Sequence, residues 1–280
     1  MATTAAPVPA PVTAPVPVRS PLPWSLAGRT AVILGGSSGI GLAAAGLLAS
    51  VGARILLVGR DKERLESAVA RVTAAADTAD TPAEVQGMSA DVTDDEALEE
   101  VFERAGSVDH VLMTAGHPAG IGPVTELTRD SARTAIAAPV GAVLDIVRAA
   151  VPRMEPGGSI TLTSGILVAR PRPGMSAPVA AAGAVETLAR ALAVELAPAR
   201  LRANAIRFGA IDTPLLRGRY GAADAEAGAE ADAAMAEAGA AMPLGRFGTA
   251  EEAASAAVFL MANPYMSGEV LTVDGGQSLA

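Results

Sequence analysis

The stretch TAVILGGSSGIG, Thr30 to Gly41, decides how this chain is read. A short run rich in β-branched and aliphatic residues meets a glycine cluster, and the cluster opens an Ala- and Leu-rich segment, Gly39 to Val51, with helical composition. Strand, tight turn and helix in that order form a phosphate cradle. Gly35, Gly39 and Gly41 let the backbone turn sharply and come close to an anion. The helix that follows turns its free N–H groups and positive dipole toward the same point. A glycine-rich turn alone is weak evidence, so its context decides.

Outward from that stretch, strands and helices alternate. ARILLVG (Ala53–Gly59) reads as a buried strand, Asp61 to about Ala76 as a charged helix, and VQGMSADV (Val85–Val92) as a third strand. Asp94–Arg104 follows as helix, VDHVLMTAG (Val108–Gly116) as strand, Arg129–Arg153 as a long helix and SITLTSG (Ser159–Gly165) as a fifth strand. Ala177–Leu196 is the fifth helix, LRANAIRFG (Leu201–Gly209) the sixth strand, Glu251–Met261 a helix and EVLTVDGG the seventh strand. Such alternation predicts right-handed βαβ units. The fold class is therefore α/β: a single doubly wound Rossmann-type domain with a seven-stranded parallel sheet, over residues 26–280. Residues 1–25, with proline at nearly every second or third position, read as a disordered Pro/Ala-rich tail without a signal peptide's basic start. Residues 212–248 interrupt the alternation with a low-complexity, helix-prone insertion after the sixth strand's carboxyl end. Open α/β sheets bind ligands there, so the insertion is a candidate lid.

Composition narrows the classes. Half of the 280 residues are apolar but only 2% are aromatic, which predicts a core of Ala, Val, Leu and Ile. A net charge of −9 argues against nucleic acid and anionic membrane as partners. No stretch of 18 consecutive apolar residues occurs, so no membrane span is expected. With no cysteine, disulfides and thiolate metal sites are excluded; no metal is expected, and a cytoplasmic location fits.

With these motifs in place, the chain resembles the short-chain dehydrogenase/reductase family. The spacing Gly35-x-x-x-Gly39-x-Gly41 is similar to that family's cofactor loop. Asp91-Val92, Ala115-Gly116, Ser164, Ile211-Asp212-Thr213 and the terminal VDGG fall where the family carries its motifs. The resemblance implies a nicotinamide dinucleotide held by Gly35, Ser37, Ser38, Gly39, Ile40, Gly41, Arg60, Asp91, Val92, Ala115, Gly116, Ile211 and Thr213. It also implies a small-molecule substrate and a homodimer or homotetramer paired through the fourth and fifth helices, the latter carrying the small residues Ala180, Ala181, Gly183 and Ala184. The family's catalytic Tyr and Lys align with Pro178 and Ala182, and its helix-four Asn with Ala138. The only lysine is Lys62, far upstream. Of the family's catalytic groups only the serine has a counterpart, Ser164.

The tip of the second strand is Gly59, where a carboxylate would bind ribose hydroxyls and favour NAD. Arg60 follows, and its planar fork suits a 2′-phosphate, with Ser37 as a further hydroxyl donor; NADP(H) is expected over NAD(H). The expected activity is NADP(H)-dependent reduction of a carbonyl or enone through a non-standard active site. The alternatives are a cofactor-binding pseudoenzyme acting as sensor, scaffold or partner subunit, or a non-redox lyase or isomerase in the same pocket. His117 and Tyr220 are the other groups considered as proton donors, Tyr265 reads as packing, and Ser176 as the N-cap of helix five.

Overall fold

A computed structural model describes residues 24–76, 83–116, 119–220 and 229–280. The Pro/Ala-rich residues 1–23 lie outside it. In chain order the elements are β1 (Thr30–Leu34), α1 (Gly39–Ala49), β2 (Arg54–Gly59), α2 (Lys62–Ala76), β3 (Glu84–Ser89), α3 (Asp95–Ala105), β4 (Val108–Met113), α4 (Arg129–Ala150) and β5 (Met154–Gly165). There follow α5 (Ser176–Glu195), β6 (Arg202–Phe208), β7 (Ile211–Asp212), α6 (Pro214–Arg217), α7 (Ala229–Ala240), β8 (Gly248–Thr249), α8 (Ala250–Ala262) and β9 (Val270–Val273).

Seven strands form one sheet in the order β3-β2-β1-β4-β5-β6-β9, and every neighbouring pair is parallel. This is the expected doubly wound sheet. The chain winds outward from β1 to β3, then returns to place β4 on the other side of β1. The crevice for a ligand opens beyond the carboxyl ends of β1 and β4, where the winding reverses.

Burial on both faces explains the uninterrupted apolar strands. Ile33, Leu57, Leu112 and Ile206 look toward α1, α2 and α8, where Ala44, Leu48, Leu65 and Ala257 complete one core. Val32, Val58, Val111, Ile160 and Leu162 look the other way, toward Phe102, Val143, Ile146, Val185 and Leu192 of α3, α4 and α5. The alanines let helices lie close to the sheet. Arg202, buried at the start of β6, donates to the carbonyls of Leu260 and Met261, which satisfies orphan acceptors in the last turn of α8, and to that of Met266 in the loop beyond, all at 2.8–2.9 Å.

Several boundaries differ from the sequence reading. β3 stops at Ser89 and β4 at Met113, so Asp91-Val92 and Thr114–Gly116 belong to the loops beyond them. β5 begins earlier, at Met154. α4 ends at Ala150, with a 3-10 turn over Val151–Arg153. Ser176 is the first helical residue of α5 and Met175 holds the capping position without a side-chain hydrogen bond, so Ser176 is not the N-cap. The backbone there is already helical at Ser176, which leaves its hydroxyl no first-turn N–H to accept from. Tyr265, read as packing, is 97% exposed: Asn263 and Tyr265 turn the chain outward after α8, the Asn263 Oδ1 accepting from the Tyr265 N–H. At the two ends of the 212–248 insertion, β7 and β8 pair as a two-stranded parallel ribbon, and α7 supplies a helical part between them.

Candidate active site at the carboxyl edge of the sheet

The glycine loop is folded tightly against the end of β4. The N–H groups of Thr114 and Ala115 both donate to the Leu34 carbonyl, at 2.8 and 2.9 Å. Gly35 has φ +93°, and a Cβ there would come within 2.5 Å of the Ala115 nitrogen. A Cβ on Gly41 would press into the Gly35 carbonyl oxygen. Both positions therefore require glycine, one for backbone angle and space, the other for space. Gly39, at φ +52°, lies beneath Thr213, whose Cγ2 would be 3.3 Å from an added Cβ. Ser38 caps α1 in an extended conformation, and no cap hydrogen bond engages its hydroxyl. Ile40 packs on the core with its backbone at the helix start, where an α-helix leaves its first donors without intrahelical partners. The glycine loop thus meets Ala115 and Thr213, both distant in sequence, at the opening expected beyond the carboxyl ends of β1 and β4.

The second strand's tip extends this opening. A Cβ on Gly59 would lie 2.9 Å from Ser37 Oγ, so Ser37 fills the space that a side chain at that tip would need. Arg60 is exposed, and its backbone carbonyl accepts from Ser89 Oγ at 3.1 Å. Asp91 Oδ1 accepts from the Thr93 N–H at 3.0 Å and the Thr93 hydroxyl at 2.8 Å. These bonds, led by the backbone one, hold its carboxyl below the usual range, and the charge of Arg60 adds to the effect. Val92 packs beside Asp91 on the α3–α5 side of the core. These residues fit a dinucleotide: backbone donors for a pyrophosphate, an arginine and a serine at the ribose end, and a fixed carboxylate with an apolar neighbour at the base end.

On the other side of the opening the sequence reading missed the most structured part of the site. Ser164, at the end of β5, stands in register with Arg207 of β6. Its hydroxyl donates to Glu186 Oε1 at 2.7 Å. Arg207 grips the same carboxylate with both arms of its guanidinium, Nε to Oε1 at 2.8 Å and Nη2 to Oε2 at 2.6 Å. Glu186 is 4% exposed. Its hydrogen bond to Arg207 raises the guanidinium pKa further. Glu186 lies eight residues beyond Pro178 and four beyond Ala182, so the three share one face of α5. A signal for it existed: Glu186 interrupts the buried stripe Ala177, Ala181, Val185, Ala189, Leu192, where an unpaired carboxylate would be costly. Arg207 is the half-buried charge near the end of β6, a strand that also buries Arg202 and Asn204, so it stands out less.

Further contacts come from the loops after β4 and β5 and from the described parts of the insertion. The Gly122 N–H donates to the Gly174 carbonyl at 2.8 Å and ties the segment after β4 to the one after β5. Arg217 of α6 holds Asp212 bidentately at 2.6 and 2.8 Å and reaches Asp232 of α7 at 3.9 Å. Beneath this insertion lies a cavity of about 220 Å³ lined by Ile211, Met242, Leu244, Arg246, Asp274 and Gln277, among others. Tyr220 packs on Phe247 with ring centroids 6.2 Å apart. His117 lies outside the described residues.

Comparison with known proteins agrees with this geometry. A family model described as enoyl-(acyl carrier protein) reductase matches residues 35–278. Carbonyl reductase family member 4 of Danio rerio is 32% identical over 256 residues, spanning 90% of this chain and 98% of the relative. The short-chain dehydrogenase/reductase ATR9 of Stachybotrys chlorohalonatus is 31% identical, spanning 91% of this chain and 99% of the relative. Among solved structures, L-sorbose reductase from Gluconobacter frateurii, complexed with NADPH and L-sorbose, superposes with a TM-score of 0.81 at 27% identity and covers 91% of this chain and 98% of its own. With its phosphate loop, its parallel sheet and relatives matched over nearly their full length, this chain belongs to the short-chain dehydrogenase/reductase family of oxidoreductases.

Proposed function

We propose that this protein is an NADP(H)-dependent oxidoreductase of a carbonyl–alcohol or enone couple, with a site that does not use the Tyr and Lys of its family. The observation that carries the cofactor half is at the tip of β2. Gly59 leaves no carboxylate there, Ser37 fills the adjacent space, and Arg60 supplies a guanidinium beside Asp91. A 2′-phosphate is the ligand group that such donors complement, since Arg forms bidentate charge-assisted bonds to it. When bound, the cofactor supplies a hydride. The chain's own residues hold the pyrophosphate on the first turn of α1, seat the adenine beside Asp91 and Val92, and present Ser164 to the substrate oxygen.

Pro178 and Ala182 offer no proton donor on the face of α5 that leads to Glu186. Proton transfer by a positioned acid is worth about 10²–10⁴ in rate, and alignment of cofactor and substrate supplies the remaining acceleration. The test is cofactor turnover in both directions, NADPH with a panel of ketones, aldehydes and enones and NADP+ with the matching alcohols, with wild type and Ser164→Ala compared. The expected outcome is turnover of at least one substrate, impaired in the variant while NADPH affinity stays nearly unchanged. NADPH binding without turnover in either direction would support the non-catalytic cofactor-binding reading instead. Retained full turnover in Ser164→Ala would remove Ser164 from the chemistry.

The quaternary state belongs to the same proposal. Ile136 and Leu144 of α4 and Val194 of α5 are large apolar side chains exposed on adjacent helices. Both helices are long and apolar enough by composition to cross a membrane, yet each packs one face on the sheet within this α/β fold. A two-fold homodimer or a homotetramer built on these faces would cover them.

A further inference from the structure

The hydroxyl of Ser164 has one hydrogen, and Glu186 takes it. Glu186 in turn cannot rotate away, because the Arg207 fork holds both carboxylate oxygens, and 96% of the residue's surface is removed from solvent (relative exposure 4%). A serine whose hydrogen is spent inward turns its remaining lone pairs outward: it accepts hydrogen bonds and does not donate them. A ligand carbonyl brings only lone pairs, and would have to pull the Ser164 hydrogen away from a buried acceptor that Arg207 holds in place. A ligand hydroxyl brings the hydrogen that Ser164 Oγ can accept, with no rearrangement of the three-residue cluster.

We propose that Glu186, fixed by Arg207, is a positioning residue that makes Ser164 a hydrogen-bond acceptor, so that the site selects ligands presenting a hydroxyl over the matching carbonyl compounds. The inference rests on the reading of this opening as a dinucleotide and substrate site. It concerns which partner of the redox couple is held through Ser164. Glu186 acts through Ser164 without touching the ligand. The role differs from a purely structural one because it fixes the direction of a hydrogen bond, which a binding preference reports.

The experiment uses the full-length chain saturated with 1,4,5,6-tetrahydro-NADP, an analogue with no hydride to give, its binding first verified by calorimetry. Ligand-observed NMR titration then measures cyclohexanol against cyclohexanone and 1-phenylethanol against acetophenone. The expected result is that at least one alcohol binds about three- to tenfold more tightly than its ketone, the range of a single hydrogen bond. Two variants test the origin of the preference. Ser164→Ala leaves the Glu186–Arg207 pair intact and should abolish the preference. Glu186→Met combined with Arg207→Met removes both charges at similar volume and frees the Ser164 hydrogen, so the preference should vanish or invert toward the ketone. Should the double variant fail to fold, Ser164→Ala decides alone. Analogue bound with no alcohol preference in any pair, or a preference that survives Ser164→Ala, overturns the inference while leaving the cofactor reading standing. Failure of the analogue to bind overturns the cofactor reading and the inference together.

Discussion

Gly35 and Gly46, in one strand–turn–helix unit, answer to different physics, and substitution separates them. Gly35, at φ +93° against the Ala115 backbone, has neither the angle nor the room for a side chain. Gly35→Ala is expected to cost at least about 1–2 kcal/mol from backbone conformation alone, read as a lowered Tm, and to abolish dinucleotide binding. Gly46, inside α1 with nothing near an added Cβ, is the opposite case. Gly46→Ala should stabilise by about 0.5–1 kcal/mol, because alanine loses less entropy in a helix; a lowered Tm would contradict the described packing of α1. His110 adds a pH dependence. It is buried in β4 with Nδ1 2.9 Å from Ser159 Oγ, and burial pushes its pKa down from 6.5 to about 4. The unfolded chain takes up this proton near pH 6.5 while the folded chain resists until about 4. Its favourable contribution is therefore complete above pH 6.5 and is lost as pH falls through that window. The stability difference between wild type and His110→Gln, followed by thermal melts, should change between pH 6.5 and 4 and be flat above; a difference independent of pH would refute the burial of a neutral imidazole.

At the scale of elements, most of the fold was legible and the reasons are local. β1, with five buried residues, four of them apolar, running into Gly35, has the bounds read from the sequence. Asp61 accepts from the Arg64 N–H at 3.0 Å, as a residue just ahead of a helix should, and Asp94 accepts from Glu96 and Ala97 at the start of α3. Asp94→Ala is expected to cost about 1 kcal/mol in urea melts without changing the m-value, and an unchanged midpoint would show the cap to be idle. What stayed illegible depends on chain positions brought together only by folding. Ser164 was visible as a strand-end hydroxyl, but its partner lies 22 residues later and that partner's anchor another 21. No local period encodes such a triad, although the charge of Glu186 inside the buried stripe of α5 marks its middle. The Ser176 reading failed for a subtler reason: composition favours serine at a helix start, and the helix begins one residue earlier, at Ser176, which moves the cap to Met175. The paired Thr249 and Glu252 at α8 went unremarked in the sequence although they form a complete capping box.

For the whole molecule, two surfaces carry the account. The first is the outer face of α4 and α5, with Leu144 48% and Val194 77% exposed. Leu144→Glu with Val194→Glu should convert a wild-type dimer or tetramer into smaller species by light scattering at micromolar concentration. A monomeric wild type would sink the assembly proposal. The second is the carboxyl edge of the sheet, where the glycine loop, Arg60 and Asp91 form one cradle from segments that are distant in the chain. Everything said of chemistry depends on that cradle taking a 2′-phosphorylated dinucleotide. The most direct measurement is parallel fluorescence titration of NADPH and NADH on wild type and on Arg60→Ala. The account predicts at least about tenfold tighter NADPH binding in wild type, equivalent to about 1.4 kcal/mol, and loss of most of that advantage in the variant. Equal affinities for the two dinucleotides, or an Arg60→Ala variant with undiminished NADPH affinity, would contradict it.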